Sequence, residues 1–265
     1  MDHISSTAMV LAAGMGVRMR PLTLEKPKPL LEVGGRTMLD LALDRLVEVG
    51  IRRAVVNAYY LGNMIEAHVA RRNDIEIVVS REAELLDTGG GIRNALAQFG
   101  GKPFFALNAD LPWRDMGDPA LARMARAWDA AAMDALLLVM PTRKARGFSP
   151  DGDFGMDLSD AAGLSMAPLP SPPHEGEEIS LGLLRRAGVA TPRPYVMLSA
   201  QIAKPEFYAA MPERVFSNNR IWDEAERKQR LYGIVHDGSC YHVGRPEDLL
   251  RANELLSSGA GWDVA

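Results

Sequence analysis

The chain has 265 residues, of which 47% are hydrophobic and 24% are charged, and its formal net charge is -4. This length suits one large α/β domain or one domain with a modest extension, and the hydrophobic content supports a sizeable core; we expect a single domain over 1–265. The acidic balance argues against a nucleic-acid-binding protein, which would present a basic face. No apolar run approaches the roughly 20 residues of a membrane helix, and the first residues lack the basic and apolar regions of a signal peptide. We therefore expect a cytoplasmic protein without a membrane or nucleic-acid partner.

The first predicted elements are a short buried strand at 8–13 and a loop that contains Gly14 and Gly16. Glycine tolerates positive φ and has no Cβ, so this backbone can turn sharply and let a ligand come close. Successive N–H groups in such a turn form a concave site for phosphate oxygens. Four basic residues follow, with a single acid among them: Arg18, Arg20, Lys26 and Lys28. The segment therefore predicts a site that binds several phosphates.

Two other interpretations compete for the same segment. The loop could be an ordinary strand end with solvated basic side chains, or the start of a dinucleotide-binding fingerprint. The fingerprint is incomplete, because Met19 occupies its third glycine position and the second strand ends with Asn57 instead of an acid. A P-loop is excluded because no Gly-Lys-Ser/Thr follows at the required spacing. The joint occurrence of glycines, arginine and Lys-Pro favours the phosphate site.

Three blocks of this segment resemble the signature of the sugar-1-phosphate nucleotidyltransferases: 11–18 (LAAGMGVR), 21–23 (PLT) and 26–30 (KPKPL). The resemblance implies that a sugar-1-phosphate oxygen attacks the α-phosphorus of a nucleoside triphosphate, which gives a nucleotide sugar and pyrophosphate. It further implies that Arg18 is a catalytic arginine acting on the leaving pyrophosphate. Lys28 would bridge the α-phosphate and the sugar phosphate.

Helices and strands alternate after the loop. Apolar spacing predicts helices at 37–49 and 62–72 and strands at 54–56 and 75–79, with Thr37 as the cap of the first helix. This order predicts a parallel sheet with right-handed crossovers. We expect a Rossmann-like α/β fold, a mostly parallel sheet sandwiched by helices with a small antiparallel hairpin region. The resemblance implies the same nucleotidyltransferase fold.

A glycine-rich turn, at 84–91, precedes a predicted helix at 92–99. Three consecutive glycines at a helix start let the backbone approach a flat base or a sugar ring, although a flexible link is the alternative. The family has a base- and sugar-contacting loop at this place. The resemblance therefore assigns Leu86, Thr88 and Gly89 to the nucleotide, and Asp87 and Gly90 to the sugar.

The next predicted strand, 104–107, ends in Asn108-Ala109-Asp110. A carboxylate at the carboxyl end of a central strand, beside a phosphate loop, can hold Mg²⁺, which completes its shell with water and phosphate oxygens. The alternative is an acid that caps the following segment. The family carries Asn-x-Asp at this step and its Asp binds the metal, so Asp110 is the foremost catalytic candidate. Trp113 would line the pocket or cover the sheet.

The middle of the chain predicts a helix at 118–132, a strand at 135–140, a hairpin strand at 153–158 that resumes at 183–186, and a strand at 193–199. Residues 165–180 hold four prolines and three glutamates with little to bury, which indicates a disordered insertion at the hairpin tip. The strand at 193–199 should end at the sugar site. The family often has Ser/Thr-Gly here, whereas this chain has Ser199-Ala200.

The last segment predicts a helix at 222–227, a strand at 231–235 and a helix at 246–256 that begins with proline. Many relatives read Asp-Val-Gly-Thr-Pro before this helix, with the Asp as a second Mg²⁺ ligand, but this chain has His242 there. Imidazole is a poor ligand for Mg²⁺. Three interpretations remain open: His242 holds a metal-bound water, the metal rests on Asp110 and phosphates alone, or Mn²⁺ is used instead.

Two anions must meet in this reaction, so catalysis should consist of positioning and charge neutralisation, without a protein nucleophile or base. Arg18, Lys28 and Asp110 are the catalytic candidates. The nucleotide-binding candidates are Leu11, Ala12, Ala13, Gly14, Met15, Gly16, Leu86, Thr88 and Gly89. The sugar-binding candidates are Asp87, Gly90, Asn108 and Ser199, and the metal candidates are Asp110 and His242.

The compact length and the segments at 84–92 and 108–110 most resemble bacterial N-acetylmuramate-1-phosphate uridylyltransferases of peptidoglycan recycling. UTP and N-acetylmuramate 1-phosphate are therefore the expected substrates, with mannose- or heptose-1-phosphate guanylyltransferases as alternatives. A non-catalytic sensor or subunit that binds nucleotide sugars is the alternative of another class. His242 favours it, whereas the intact Arg18, Lys28 and Asp110 oppose it. The sequence leaves the oligomeric state open.

Overall fold

The structure is a computed structural model that describes residues 3–157, 180–186 and 194–258. Its strands are β1 (Thr7–Leu11), β2 (Glu32–Val33), β3 (Arg36–Thr37), β4 (Arg53–Ala58), β5 (Glu76–Arg81), β6 (Phe104–Asn108), β7 (Trp113–Arg114), β8 (Ala135–Pro141), β9 (Gly155–Asp157), β10 (Leu181–Arg185), β11 (Tyr195–Ala203), β12 (Leu231–Val235) and β13 (Ser239–Cys240). Its α-helices are α1 (Met38–Glu48), α2 (Gly62–Val69), α3 (Asp87–Asn94), α4 (Ala120–Ala127), α5 (Pro205–Ala209), α6 (Asn219–Arg227) and α7 (Pro246–Ser257). Short 3₁₀ helices lie at Val17–Met19, Leu22–Leu24, Lys28–Leu30, Leu96–Phe99 and Thr142–Lys144.

The described residues form a nine-stranded sheet in the order β5-β4-β1-β6-β11-β8-β12-β10-β9. The first four strands are parallel to one another, and β8 is parallel to β12. β11 runs against β6 and β8, and β10 runs against β12 and β9. The predicted fold, a mostly parallel sheet with an antiparallel hairpin region, is therefore confirmed.

Helices cover both faces of this sheet because each strand sends alternate side chains to opposite sides. In β1, Val10 belongs to a buried hydrophobic cluster that includes residues of α1, α2 and α4, whereas its neighbour Met9 belongs to the cluster that includes residues of α3, α5 and α6. Both side chains are fully buried. The three-layer arrangement leaves the carboxyl ends of the parallel strands as the open edge, where ligands bind in such folds.

The helix predicted at 37–49 is confirmed as α1. The Thr37 side chain accepts a hydrogen bond from the Asp40 N–H, which caps the helix, and Gly50 follows its end with a φ of 78°. The helices predicted at 62–72 and 118–132 are present but end earlier, as α2 and α4. None of the helices in the described chain is long and apolar enough to cross a membrane.

The helix predicted at 92–99 begins earlier than the sequence indicated. It starts at Asp87 as α3, and Leu96–Phe99 is a separate 3₁₀ helix. The three glycines, which suggested a turn, lie inside α3. Gly89 and Gly90 pack against residues 214–216 and Gly91 packs against Asn57 and Glu82, and these tertiary contacts override the weak helix propensity of glycine.

The hairpin predicted around the insertion is confirmed where the structure describes it. β9 pairs antiparallel with β10, with Leu183 opposite Asp157. The insertion predicted at 165–180 lies outside the described residues, except for Ser180. Residue 193, at the start of the last predicted middle strand, lies outside them as well, and the described strand is β11.

Candidate active site

A cavity of about 560 Å³, the first cavity, opens at the carboxyl ends of β1, β4 and β6. The loop after β1, which we call the glycine loop (residues 12–16), forms one wall. Its lining includes many of the predicted site residues: Leu11, Ala12, Ala13, Gly14, Gly16, Arg18, Lys28, Asp87, Thr88, Asn108 and Asp110. The structure thus brings together residues that are up to about a hundred positions apart in the sequence.

A buried relay of side chains fixes the glycine loop. The Ala12 N–H donates to Asn57 Oδ1 at 2.7 Å, and Asn57 Nδ2 donates to Glu82 Oε1 at 2.7 Å. Glu82 Oε2 in turn accepts the Leu86 N–H at 3.0 Å, next to the start of α3. Asn57 and Glu82 are only 2% and 8% exposed, so this relay is shielded from water. It ties the loop to α3.

The two glycines of the loop have different uses. Gly16 has a φ of 59°, and a Cβ there would lie 2.9 Å from Thr23 Cγ2 and 3.0 Å from Lys28 Cβ. The Thr23 hydroxyl donates to the Gly16 carbonyl at 2.9 Å, which fixes the turn. A Cβ on Gly14 would meet nothing within 4 Å, because that side faces the cavity. Gly14 therefore leaves room for a ligand, whereas Gly16 allows the positive φ and the close packing that the turn requires.

Lys28 and Asp110 form an ion pair in the cavity, with 2.8 Å between Nζ and Oδ2. The Lys28 side chain is 9% exposed and that of Asp110 is 40% exposed. Burial alone raises the pKa of Asp110, but Lys28 above all, with His242 and Arg18, lowers it, and the net pKa lies below its ordinary value. Asp110 is consequently a carboxylate at neutral pH. Phosphate oxygens would compete with it for the Lys28 ammonium.

A second cavity of about 530 Å³ meets the first at Asn108 and Asp110. Ser199 and Trp222 line it. The Trp222 Nε1–H donates to Gln201 Oε1 at 2.7 Å, which holds the indole in place. Gln201 lies on β11 and its Nε2 donates to the buried Tyr208 hydroxyl at 3.1 Å. The second cavity thus has a fixed aromatic wall.

His242 lines the second cavity together with Asp110. Its Nδ1 lies 3.1 Å from the Gly147 carbonyl oxygen, and its ring stacks on Phe148 with centroids 4.9 Å apart. A carbonyl only accepts hydrogen bonds, so Nδ1 carries a proton in this contact, and Nε2 is the ring nitrogen that the contact leaves uncommitted. Among the described residues, no group of three or more His, Cys, Asp or Glu side chains could hold a metal ion. A cation here would need phosphate or water oxygens besides protein ligands.

The family model for nucleotidyl transferases matches residues 7–149, which include the glycine loop, Lys28 and Asp110. The chain belongs to the sugar-1-phosphate nucleotidyltransferase family of enzymes. It is 35% identical over 262 residues to an N-acetylmuramate alpha-1-phosphate uridylyltransferase of Caulobacter vibrioides, covering 97% of this chain and 99% of the relative. A protein of the same name from Neisseria meningitidis is 38% identical over 152 residues, 56% of this chain and 64% of the relative.

The fold likeness to solved structures agrees with the family. A UDP-glucose pyrophosphorylase in complex with UDP-glucose superimposes with a TM-score of 0.71, covering 96% of this chain and 98% of the other. Sequence identity to it is 15%, so this likeness concerns the fold alone.

The structure gives the glycines of α3 a packing role, and their predicted contacts with nucleotide and sugar stay a prediction. Asp87 and Thr88 line the first cavity, whereas Leu86, Gly89 and Gly90 do not line either cavity among the described residues. The Gly89 and Gly90 N–H groups donate to the Phe216 carbonyl, and a Cβ on Gly89 would collide with the Phe216 ring. Gly89 and Gly90 therefore allow close packing of two protein segments.

The remaining candidates fall around the two cavities. Asp87, predicted to contact the sugar, lies in the first cavity and not in the second. Met15 is half-buried between two lining glycines without lining the cavity itself. Sequence reasoning missed the Asn57–Glu82 relay; the one available signal was a polar residue at the end of an apolar strand.

Proposed function

We propose that this chain transfers a uridylyl group from UTP to N-acetylmuramate 1-phosphate, with release of pyrophosphate, in the cytoplasm where UTP is available. The main support is the Lys28–Asp110 pair, which lies where two cavities meet. A reaction that joins two phosphorylated substrates needs such a junction. The similarity along 97% of the chain to a uridylyltransferase of this specificity supports the choice of substrates.

The first cavity suits the triphosphate. The bare N–H groups of the glycine loop can donate to phosphate oxygens, and Asn57 already holds the loop at Ala12. Arg18 is exposed and lines the same cavity, so its guanidinium can stabilise the charge on the leaving pyrophosphate. Binding and reaction are thereby assigned to neighbouring parts of one segment.

Lys28 would act at the reacting phosphorus. Its ammonium is nearly buried, where a positive charge interacts strongly with phosphate oxygens. It can leave Asp110 and contact both the α-phosphate and the sugar phosphate, which reduces the repulsion between the two anions. The attacking phosphate oxygen is already ionised, so no protein base is required.

One divalent cation fits the side chains at the junction. The Asp110 carboxylate is the kind of oxygen ligand that Mg²⁺ prefers, and phosphate and water oxygens would complete the shell. His242 offers Nε2 in the second cavity, which a softer ion such as Mn²⁺ accepts more readily. When bound, the cation would neutralise part of the phosphate charge.

The second cavity suits the sugar. The Asn108 amide and the Ser199 hydroxyl can hydrogen-bond with sugar hydroxyls, and Trp222 can cover the apolar side of the ring. These roles for Asn108 and Ser199 are the ones that the sequence predicted.

Pyrophosphate release with Mg²⁺ tests the proposal directly. UTP, GTP, dTTP and CTP are crossed with N-acetylmuramate 1-phosphate, mannose 1-phosphate and glucose 1-phosphate. We expect strong turnover with UTP and N-acetylmuramate 1-phosphate. Turnover with another pair would change the substrates but keep the reaction. No turnover with Mg²⁺ or Mn²⁺, while a nucleotide still binds, would favour the sensor instead.

A further inference from the structure

The charged side chains of the second cavity are mostly acidic. Among the described residues that line it, the carboxylates are those of Asp110, Asp153, Asp223 and Glu226, and the one guanidinium or ammonium is that of Arg186. Carboxylates accept hydrogen bonds from sugar hydroxyls but repel another carboxylate. An acidic substituent on the sugar therefore has one favourable position in this cavity, beside Arg186.

Arg186 is held by α6 in a way that leaves part of it available. Its Nη1 donates to the Asn219 carbonyl at 3.2 Å and contacts the Asp223 carboxylate. Both contacts use the same nitrogen, so the edge formed by Nε and Nη2 has no partner within the described parts of the chain. That edge is the planar pair of donors that binds a carboxylate through two parallel hydrogen bonds.

We propose that Arg186 binds a carboxylate substituent of the sugar 1-phosphate and makes the second cavity selective for an acidic sugar. This inference rests on the proposed function, since N-acetylmuramate is N-acetylglucosamine with an added lactyl ether that ends in a carboxylate. Asp223 contributes by holding Nη1, which orients the free edge of the guanidinium. Trp222 lies on the same helix and lines the same cavity, so the helix places the aromatic wall and the anchored arginine together.

Isothermal titration calorimetry with two nucleotide sugars isolates the interaction between Arg186 and the sugar carboxylate. UDP-N-acetylmuramate and UDP-N-acetylglucosamine differ only in the lactyl ether, so the ratio of their dissociation constants measures recognition of the carboxylate. The proteins compared are the wild type, Arg186→Gln and Arg186→Lys. The matched control is Arg185→Gln, which removes the same charge from an exposed neighbour that does not line the cavity. Thermal melting checks that each variant is folded.

We expect Arg186→Gln to weaken UDP-N-acetylmuramate binding about tenfold or more, the scale of a lost charge-assisted hydrogen bond, while UDP-N-acetylglucosamine changes less than about twofold. Arg186→Lys keeps the charge but loses the paired donors, so its affinity for UDP-N-acetylmuramate should lie between those of the wild type and Arg186→Gln. Arg185→Gln should match the wild type. An unchanged ratio in Arg186→Gln, or equal weakening of both ligands, would overturn the inference.

A failure of the proposed function would be visible separately. In that case the wild type would bind neither UDP sugar, or would release no pyrophosphate from UTP and N-acetylmuramate 1-phosphate, and both proposals would fall. A wild type that turns over this pair while Arg186→Gln keeps its ligand preference would reject the role of Arg186 alone.

Discussion

The first and second cavities share Asn108 and Asp110 but differ in how they are built. The first is lined largely by one continuous segment, the glycine loop with Arg18 and Lys28, and it presents backbone and positive charge. The second is assembled from distant side chains such as Ser199, Trp222 and His242, and it presents carboxylates and aromatic rings. A phosphate site can be made locally from glycine and basic residues, whereas a sugar site requires the whole fold.

Removal of a positively charged side chain from the first cavity should have the largest effect on turnover. Arg18→Ala and Lys28→Ala should each lower turnover by about 10²-fold or more, because each removes a donor to charge that develops in the transition state. Arg36→Ala is the matched control, since Arg36 is an exposed arginine that pairs with Asp44 and lines neither cavity. Steady-state kinetics with a thermal melt gives the measurement. Wild-type rates in both variants would remove the catalytic assignment.

Replacement of the acid at the junction should affect cation binding next. Asp110→Asn should weaken Mn²⁺ binding about tenfold or more in the presence of UTP, because the amide offers no charge to the cation. Electron paramagnetic resonance of free Mn²⁺ measures this binding without turnover. Asp151→Asn, at an exposed position, serves as the control. His242→Asp should let Mg²⁺ compete better with Mn²⁺. Undiminished Mn²⁺ binding by Asp110→Asn would place the cation elsewhere.

A substitution in the buried relay should affect binding in the first cavity but not in the second. Asn57→Ala leaves the Ala12 N–H and Glu82 Oε1 without their partner, so the free energy of unfolding should fall by about 1–3 kcal/mol. The KM for UTP should rise about tenfold because the loop is less well held. The KM for the sugar phosphate should stay within about twofold. Asn63→Ala, at an exposed position, is the control, and equal rises in both KM values would contradict the division.

A buried histidine outside both cavities should affect stability but not turnover at neutral pH. Burial lowers the pKa of His236 to about 4, and Asp115 and Asp237 face its Nδ1 at 3.7 and 3.8 Å. The unfolded chain, with a histidine pKa of about 6.5, binds more protons between these pH values. The free energy of unfolding should therefore fall as the pH drops from 6.5 to 4, by up to about 3 kcal/mol.

Urea unfolding of the wild type and His236→Gln across this pH range tests the expectation. The variant should lose most of this slope, whatever its absolute stability, and both proteins should keep the same KM values at neutral pH. Identical slopes would mean that His236 charges as easily in the folded chain as in the unfolded one.

The residues that the sequence identified well are those whose environment is local. Thr37 and Gly50 limit α1 through contacts within a few residues, and the glycine loop carries its own signature over twenty positions. The start of α3 could not be predicted, because the contact that makes Gly89 and Gly90 necessary comes from residues 214–216. The pairing of Asn57 with Glu82, and of Arg186 with Asp223, likewise depends on strands and helices that meet only in the folded chain.

The packing of α3 on residues 214–218 also tells a protein engineer where to work. The Gly89 and Gly90 N–H groups donate to the Phe216 carbonyl, and the Thr88 hydroxyl accepts the Asn218 N–H at 2.9 Å, directly before α6. A library that randomises these contacts would disturb the positions of α3 and α6, and with them the walls of both cavities. A library confined to the walls of the second cavity, at Arg186, Ser199 and Trp222, would explore new sugars on an undisturbed frame.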